Sequence, residues 1–382
     1  MASEMAEKEI AIIGCGPGGL MCAKLLTQFG FKNVKVYEAE PSPEYRNQGG
    51  SLDLKEDSGQ YAMKLAGLHE KFLALSRPEG QHLKLADRDG SVLFNYEGSS
   101  ETEMYNPEID RNDLRKILLD AVNPNLIHWN HKLMKVEQQD GKNILTFESG
   151  KELVCDLVIG ADGAWSKVRK LLTPIIPEYS GLSMVDMVIK DYDSTHLTNI
   201  FSKGLLFALS KNKGILVQRN GYGIVRIYAT MRVDESWQKQ TPIASGIDAK
   251  KLTLEQFEGW DGSLLDFIRL ADEQSMVVRG IYQMPVDIDY SLKPGVVLIG
   301  DAAHVMSPFA GEGVNMALMD AAMIAEELCK QNKVDTATQV YYENMKERAR
   351  PSMERSAANL NRFFNDEAPS TALPVFKRAA GQ

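Results

Sequence analysis

The deciding stretch is Lys8-Glu-Ile-Ala-Ile-Ile13, which runs into Gly14-Cys-Gly-Pro-Gly-Gly19 and then into the segment Leu20 to Phe29. A short β-branched run reads as a strand, the glycine cluster as a tight turn, and the segment after it as a helix closed by Gly30. A second strand, Val34-Lys-Val-Tyr-Glu38, completes a βαβ unit with an acid at its end. Each glycine has a mechanical reason. Gly14 permits the turn, Gly16 leaves room for a pyrophosphate to approach the backbone, and Gly19 lets helix and strand pack closely. Free amides at the helix start face phosphate oxygens. Glu38, nineteen residues beyond Gly19, is placed to accept from a ribose hydroxyl. A glycine string alone is a weak signal, but strand, helix and acid in order point to a dinucleotide site and leave the dinucleotide open.

Working outward, Leu157-Val-Ile159 reads as a buried strand followed by Asp162-Gly163 and a helix start near Ser166. By itself that is only a strand and a capped helix. Gly295-Val-Val-Leu-Ile-Gly-Asp-Ala-Ala-His304 repeats the design with a turn at Gly300 and Asp301, then Pro308, Gly311-Glu-Gly313 and a helix over Val314 to Lys330. The first amides of that helix, near Val314 and Asn315, can point at an anionic ring or phosphate. Histidine titrates near neutral pH, which makes His304 a tempting base. Its place just past the turn reads better as ordering the loop, so no catalytic side chain is assigned.

Together the three motifs resemble the fingerprints of the class A flavoprotein monooxygenases, the p-hydroxybenzoate hydroxylase-like family, over roughly residues 8 to 330. Within that family the chain looks most like the tetracycline-inactivating flavin monooxygenases. The segments that carry this are Arg46-Asn-Gln-Gly-Gly-Ser-Leu-Asp-Leu54, Asn106-Pro-Glu-Ile-Asp-Arg-Asn-Asp-Leu-Arg115, Ser166-Lys-Val-Arg-Lys170 and Pro308-Phe-Ala-Gly-Glu-Gly-Val-Asn315. The resemblance implies an α/β fold: a Rossmann-like (GR2-type) FAD-binding domain, an inserted antiparallel β-sheet substrate domain and a long C-terminal helix. It implies that Asp53, Arg111 and Asp301 bind FAD and that Arg46 lies where NADPH approaches, with Arg115 helping one turn on. Cofactor contact extends to Asp162, Gly300, Pro308, Gly311, Gly313, Val314 and Asn315. The residue types suit these roles: Asp301 can accept from the ribityl chain, and Arg111 offers a donor fork. The bland alternative for Asp110 to Arg115 is a helix cap with surface pairing.

At 382 residues, two domains or one large domain with insertions are expected. The boundaries read as 1–68, 103–178 and 283–313 for the FAD-binding part, 69–102 and 179–282 for the substrate part, and 314–382 for a bridging helix and tail. In the substrate part, strands are expected at Gly204 to Ser210, Gly214 to Arg219 and Gly223 to Met231, with a hairpin turning at Arg88-Asp-Gly90. The middle strands offer Asp186 and Arg226 where the tetracycline enzymes have glutamine and histidine, and Tyr228 where they have glycine. These three, with Pro308 and Gly311, are the candidate substrate contacts, and strand packing is the alternative for Arg226 and Tyr228. Asp335 reads as the N-cap of a helix over Thr336 to Phe364 that Pro351 bends or breaks. Met345, Met353, Phe363 and Phe364 read as core packing, and the tail from Asp366 to Gln382 as loose.

Hydrophobic residues at 44% and charged residues at 25% sit at the globular average, and no apolar run is long enough for a bilayer. Acids near the first residue argue against a signal peptide, so a cytoplasmic location is expected. Cys15, Cys22, Cys155 and Cys329 have no metal or disulfide spacing and read as small buried hydrophobes. A net charge of −9 opposes binding to nucleic acid. The partners expected are a small-molecule substrate and molecular oxygen, with no membrane and a monomer as the default.

The expected function is an FAD-dependent, single-component monooxygenase using NADPH or NADH and oxygen on an electron-rich aromatic or enolic polycycle, tetracyclines among the candidates. The other readings are a phenolic hydroxylase without tetracycline activity, a flavin reductase or dehydrogenase, and a non-catalytic nucleotide-fold binding protein.

Overall fold

The computed structural model describes residues 4–45, 49–77, 80, 82–98, 106–240 and 246–381. Its first sheet is parallel and has five strands in the order Val296–Leu298, Leu157–Gly160, Glu9–Ile13, Asn33–Tyr37 and Ile127–His128. Strands Val296–Leu298, Leu157–Gly160 and Glu9–Ile13 are apolar runs without alternation because both of their faces are covered, whereas Asn33–Tyr37 alternates. The opening strand is central, and helix Pro17–Gln28 follows its glycine turn directly. That helix packs on helix Gly313–Lys330, where Gly18 comes so close that a Cβ on it would lie 3.1 Å from the Ala317 carbonyl oxygen. An antiparallel sheet of Leu133–Gln139, Lys142–Phe147 and Glu152–Cys155 adds to this layer.

The second large sheet has seven strands, in the order Val277–Gln283, Glu178–Ile189, Val225–Arg232, Lys213–Arg219, Leu205–Ser210, Leu83–Ala86 and Val92–Tyr96. The expected hairpin is present, with Gly90 at φ 82° in its turn. The sheet departs from a wholly antiparallel one, because Leu205–Ser210 and Leu83–Ala86 pair in parallel and so join two distant chain segments. Side chains alternate across it. Val185, Met187, Ile227, Ala229 and Ile215 pack with Phe257, Phe267 and Ile268 of the helices covering one face. Leu182, Met184, Leu216, Phe207 and Tyr228 gather on the other with Phe363, Phe364 and Phe376.

Three expectations about the C-terminal part need correction. The long helix runs from Val334 to Phe363 without a break at Pro351, and its N-cap is Lys333. Asp335 instead lies in the first turn, where its carboxylate accepts from the Gly295 amide at 3.2 Å. The tail is not loose: helix Leu373–Ala379 follows, and Ala368, Ala372 and Phe376 are buried against Phe94 and Phe207. Phe376 supplies apolar area that a solvated tail could not bury. Of the cysteines, Cys329 is exposed while Cys15, Cys22 and Cys155 are buried. Met345, Met353, Phe363 and Phe364 are buried as read. Among the described residues no helix is long and apolar enough to cross a membrane.

Candidate cofactor and substrate site

The first glycine turn is set by backbone geometry. Gly14 has φ 105°, and a Cβ there would lie 2.3 Å from the Ala161 carbonyl oxygen, so the turn fits directly against the loop that carries Asp162. Gly19 is equally confined, its Cβ position falling 2.1 Å from the Gly14 carbonyl oxygen. Gly16 differs, because no atom lies within 4 Å of its Cβ position. That open side, at the N-cap of helix Pro17–Gln28, is where backbone amides can meet a pyrophosphate. Glu38 accepts from the Cys15 amide at 2.6 Å and the Glu40 amide at 2.9 Å, which anchors the turn to the second strand.

The second and third motifs are likewise held by acids bonded to the chain. Asp162 accepts from the Ser166 hydroxyl at 2.6 Å and the Lys167 amide at 2.7 Å. The helix expected near Ser166 is only the 3-10 turn Val168–Leu171. Asp320 accepts from the Gly300 amide at 2.8 Å and pairs with His304 Nε2 at 2.6 Å, while Arg348 reaches its other oxygen. Burial pulls His304 down, but the charge and hydrogen bond of Asp320, with the Asp301 charge, together outweigh it and leave the imidazole above its ordinary value. His304 is thus locked into the loop. Asn315, fully buried, accepts from the Lys55 amide at 2.8 Å and donates to the Asp53 carbonyl at 2.9 Å, tying strand Ser51–Asp53 to the start of helix Gly313–Lys330.

Around this frame Asp53, Arg111, Asp301 and the turn Pro308 to Gly313 converge. A Cβ on Gly311, at φ 66°, would sit 3.4 Å from Asp53 Oδ1; one on Gly313, 3.9 Å from Asp301 Oδ1; and one on Gly49, 3.2 Å from Arg111 Cδ. Arg111 and Asp301 are reachable from solvent, yet protein surrounds both. Burial raises the Asp301 carboxyl above its ordinary value and lowers Arg111, and each charge partly offsets the other. Side chains that are enclosed and still reachable line a deep cleft. Its donor fork, its carboxylates and its glycine approaches fit a dinucleotide with a polyol chain.

Arg115 lies beside the first turn, near enough for its charge to act on Cys15. It is buried, donates to the Pro43 carbonyl at 2.6 Å and to Glu40 at 3.0 Å, and so braces the loop after Glu38. Arg46 falls outside the described residues.

Across the cleft stands the polar part of the seven-stranded sheet. Arg226 donates to both oxygens of Asp186, 2.6 Å each, and Asp186 faces Tyr228 across the ladder. Burial lowers Arg226, but its bond to Asp186 and the Tyr228 and Asp186 charges together outweigh this and raise it overall. The sheet meets the cofactor side at Gly50, whose Cβ position is 2.7 Å from the Tyr228 hydroxyl and 2.5 Å from Gln218 Oε1. Gln218 also exchanges bonds with the Ser51 backbone, 3.2 Å each way. Sequence reading missed Gln218, Arg279 and Glu108; the alternation along strands Lys213–Arg219 and Val277–Gln283 was the available signal for the first two. Glu108 lies opposite Asp53, buried, and burial followed by the nearby Asp53 charge pushes it up to about 8.

Residues 7–356 match the sequence profile of the FAD binding domain family. The chain belongs to that family of class A flavoprotein monooxygenases. The monooxygenase penA of Penicillium thymicola is 30% identical to it, over 94% of this chain and 96% of its own. In fold, this flavoprotein is similar to HpxO of Klebsiella pneumoniae solved with FAD and uric acid, with TM-score 0.81 at 17% identity over 98% of this chain and 93% of that one. It is also similar to the tetracycline destructase Tet(51), with TM-score 0.76 at 21% identity over 98% and 96%. Among the described residues no three His, Cys, Asp or Glu side chains gather as metal ligands.

Proposed function

We propose that this flavoprotein is a single-component monooxygenase that consumes NADPH or NADH and inserts one atom of molecular oxygen into an electron-rich aromatic or enolic ring. The observation that carries this reading is the approach at Gly50, which brings the Arg111–Asp301 cleft within side-chain reach of Tyr228, Arg226 and Asp186. Bound FAD supplies the reactivity toward nicotinamide and oxygen. The chain's own part is to orient and to exclude water. Amides beside Gly16 and at the start of helix Gly313–Lys330 favour anionic oxygens, Asp301 accepts from hydroxyls, and Arg111 places a positive charge beside the ring-binding end. The sheet face, polar at Tyr228 and flanked by Leu216 and Phe207 where the C-terminal phenylalanines pack on it, covers the substrate and keeps water from the reacting atoms.

The relatives support oxygen transfer over simple flavin reduction, since penA is named a monooxygenase. Likeness to Tet(51) makes tetracyclines members of the substrate screen, while Asp186, Arg226 and Tyr228 argue for a differently bonded ligand. The test is to incubate FAD-loaded enzyme with reduced nicotinamide, labelled oxygen and a panel of phenols, cyclic enols and tetracyclines. Label in a product supports the proposal. Nicotinamide oxidation with no label in any product identifies a reductase or oxidase instead.

A further inference from the structure

We propose that the substrate presents an anionic group, a carboxylate or an enolate, to the guanidinium groups of Arg226 and Arg279 on the cleft side of the seven-stranded sheet. The proposal rests on the monooxygenase reading and names the substrate class of that site. Its basis is a charge imbalance fixed by strand register. Asp186 and Tyr228 are direct neighbours, and Met184, on the same face of strand Glu178–Ile189, is paired with Arg279. One carboxylate therefore serves two guanidiniums: Arg226 takes both Asp186 oxygens at 2.6 Å, and Arg279 Nε reaches Oδ2 at 3.3 Å. The trio carries one net positive charge, and Arg111 adds another from across the cleft, since the charges facing Tyr228 are Arg226, Asp186, Arg111 and Arg279.

Donors are also in surplus. Arg226 Nη1 and both terminal nitrogens of Arg279 make no hydrogen bond among the described residues, although Arg226 itself is 9% exposed. A guanidinium that only stapled two strands would be satisfied by Asp186, and that role explains Arg226 alone. It does not account for Arg279, whose side chain is 50% exposed and extends the positive patch toward solvent. A planar fork beside an aromatic hydroxyl matches a carboxylate or an enolate better than a neutral amide, because a charged acceptor roughly doubles the strength of each bond. Burying a ligand anion there offsets the excess charge that the protein otherwise keeps in a half-enclosed site.

The test uses the FAD-loaded enzyme and matched pairs: hydroxybenzoates and hydroxynaphthoates, each against its primary amide. Binding is read from perturbation of the flavin spectrum, without turnover. At least one acid should bind about tenfold or more tightly than its amide, with the preference shrinking as salt rises. Arg279→Gln should remove most of that preference with flavin content and melting temperature unchanged, and Arg279→Lys should restore part of it. A panel in which no acid outbinds its amide, including one in which neither binds, overturns the proposal. So does a preference that survives Arg279→Gln. A chain that takes up no flavin would instead remove the underlying monooxygenase reading.

Discussion

The glycine cradle and the polar face of the seven-stranded sheet stand on opposite sides of one cleft and use their charged side chains in opposite ways. In the cradle, Glu38, Asp162 and Asp320 point back at the chain, accepting from the amides of Cys15, Lys167 and Gly300. Their work is to fix backbone, so that recognition falls to amides and to space left by missing Cβ atoms. On the sheet, Arg226 and Arg279 both donate to Asp186, and the recognition proposed there falls to side chains. A cradle of backbone suits a cofactor that never changes. A surface of side chains can be altered without disturbing the strands, which is how related chains come to accept different rings.

The largest expected effect comes from breaking the cradle's buried ion cluster. Asp320→Ala strands His304 and Arg348 and leaves the Gly300 amide unpaired; it should cost about 3–5 kcal/mol in denaturant unfolding and reduce flavin uptake. This effect should depend on pH. Asp320 is held below its ordinary 3.8, because His304 and Arg348 outweigh burial, so its contribution is present above 3.8 and lost as pH falls further. His304 is raised above 6.5, so its contribution is complete below 6.5 and fades as pH rises through the raised value. The gap in melting temperature between wild type and Asp320→Ala should therefore be widest between 3.8 and 6.5 and narrow above.

Next come two substitutions in one turn. Gly14→Ala forces a Cβ against the Ala161 carbonyl at positive φ and should cost about 2–4 kcal/mol. Gly16→Ala meets no protein atom, so it should keep the wild-type melting temperature and lose affinity for FAD. Equal losses of stability in both variants would break the claim that Gly16 faces ligand.

Glu108, at the seam between the two regions, gives a smaller effect of known sign. Its carboxyl is raised by burial and Asp53 from 4.5 to about 8, so folding loses stability as pH rises between those values. Glu108→Gln should flatten that decline, its melting temperature gaining on wild type toward pH 8. The smallest effect belongs to the exposed sheet turn: Tyr222, 77% exposed at φ 60°, should tolerate Tyr222→Gly within about 1 kcal/mol.

The sequence revealed most of the cradle, because its physics is local. Gly14, Gly16 and Gly19 sit between a strand and a helix, and Gly300 to Gly313 repeats the device, so each could be read from its neighbours. The hairpin at Gly90 and the strands around Gly214 were legible for the same reason. What was lost depends on distant partners. Arg115 reads from sequence as a cofactor contact, but its bonds to Glu40 and the Pro43 carbonyl, which brace the loop after Glu38, could not be foreseen. The parallel pairing of Leu205 with Leu83, the docking of Phe376 on Phe94 and Phe207, and the seat of Arg279 near Asp186 all join residues far apart in the chain. No local period announces such contacts.

The central claim is that three separated turns and the Arg111–Asp301 cleft hold one FAD. Titration of the purified chain with FAD, followed by flavin fluorescence and visible absorbance, tests it most directly. Saturation at one FAD per chain, weakened in Gly16→Ala and Asp301→Asn without loss of fold, is the predicted result. A folded chain that stays colourless and leaves flavin fluorescence unchanged at every concentration would contradict it.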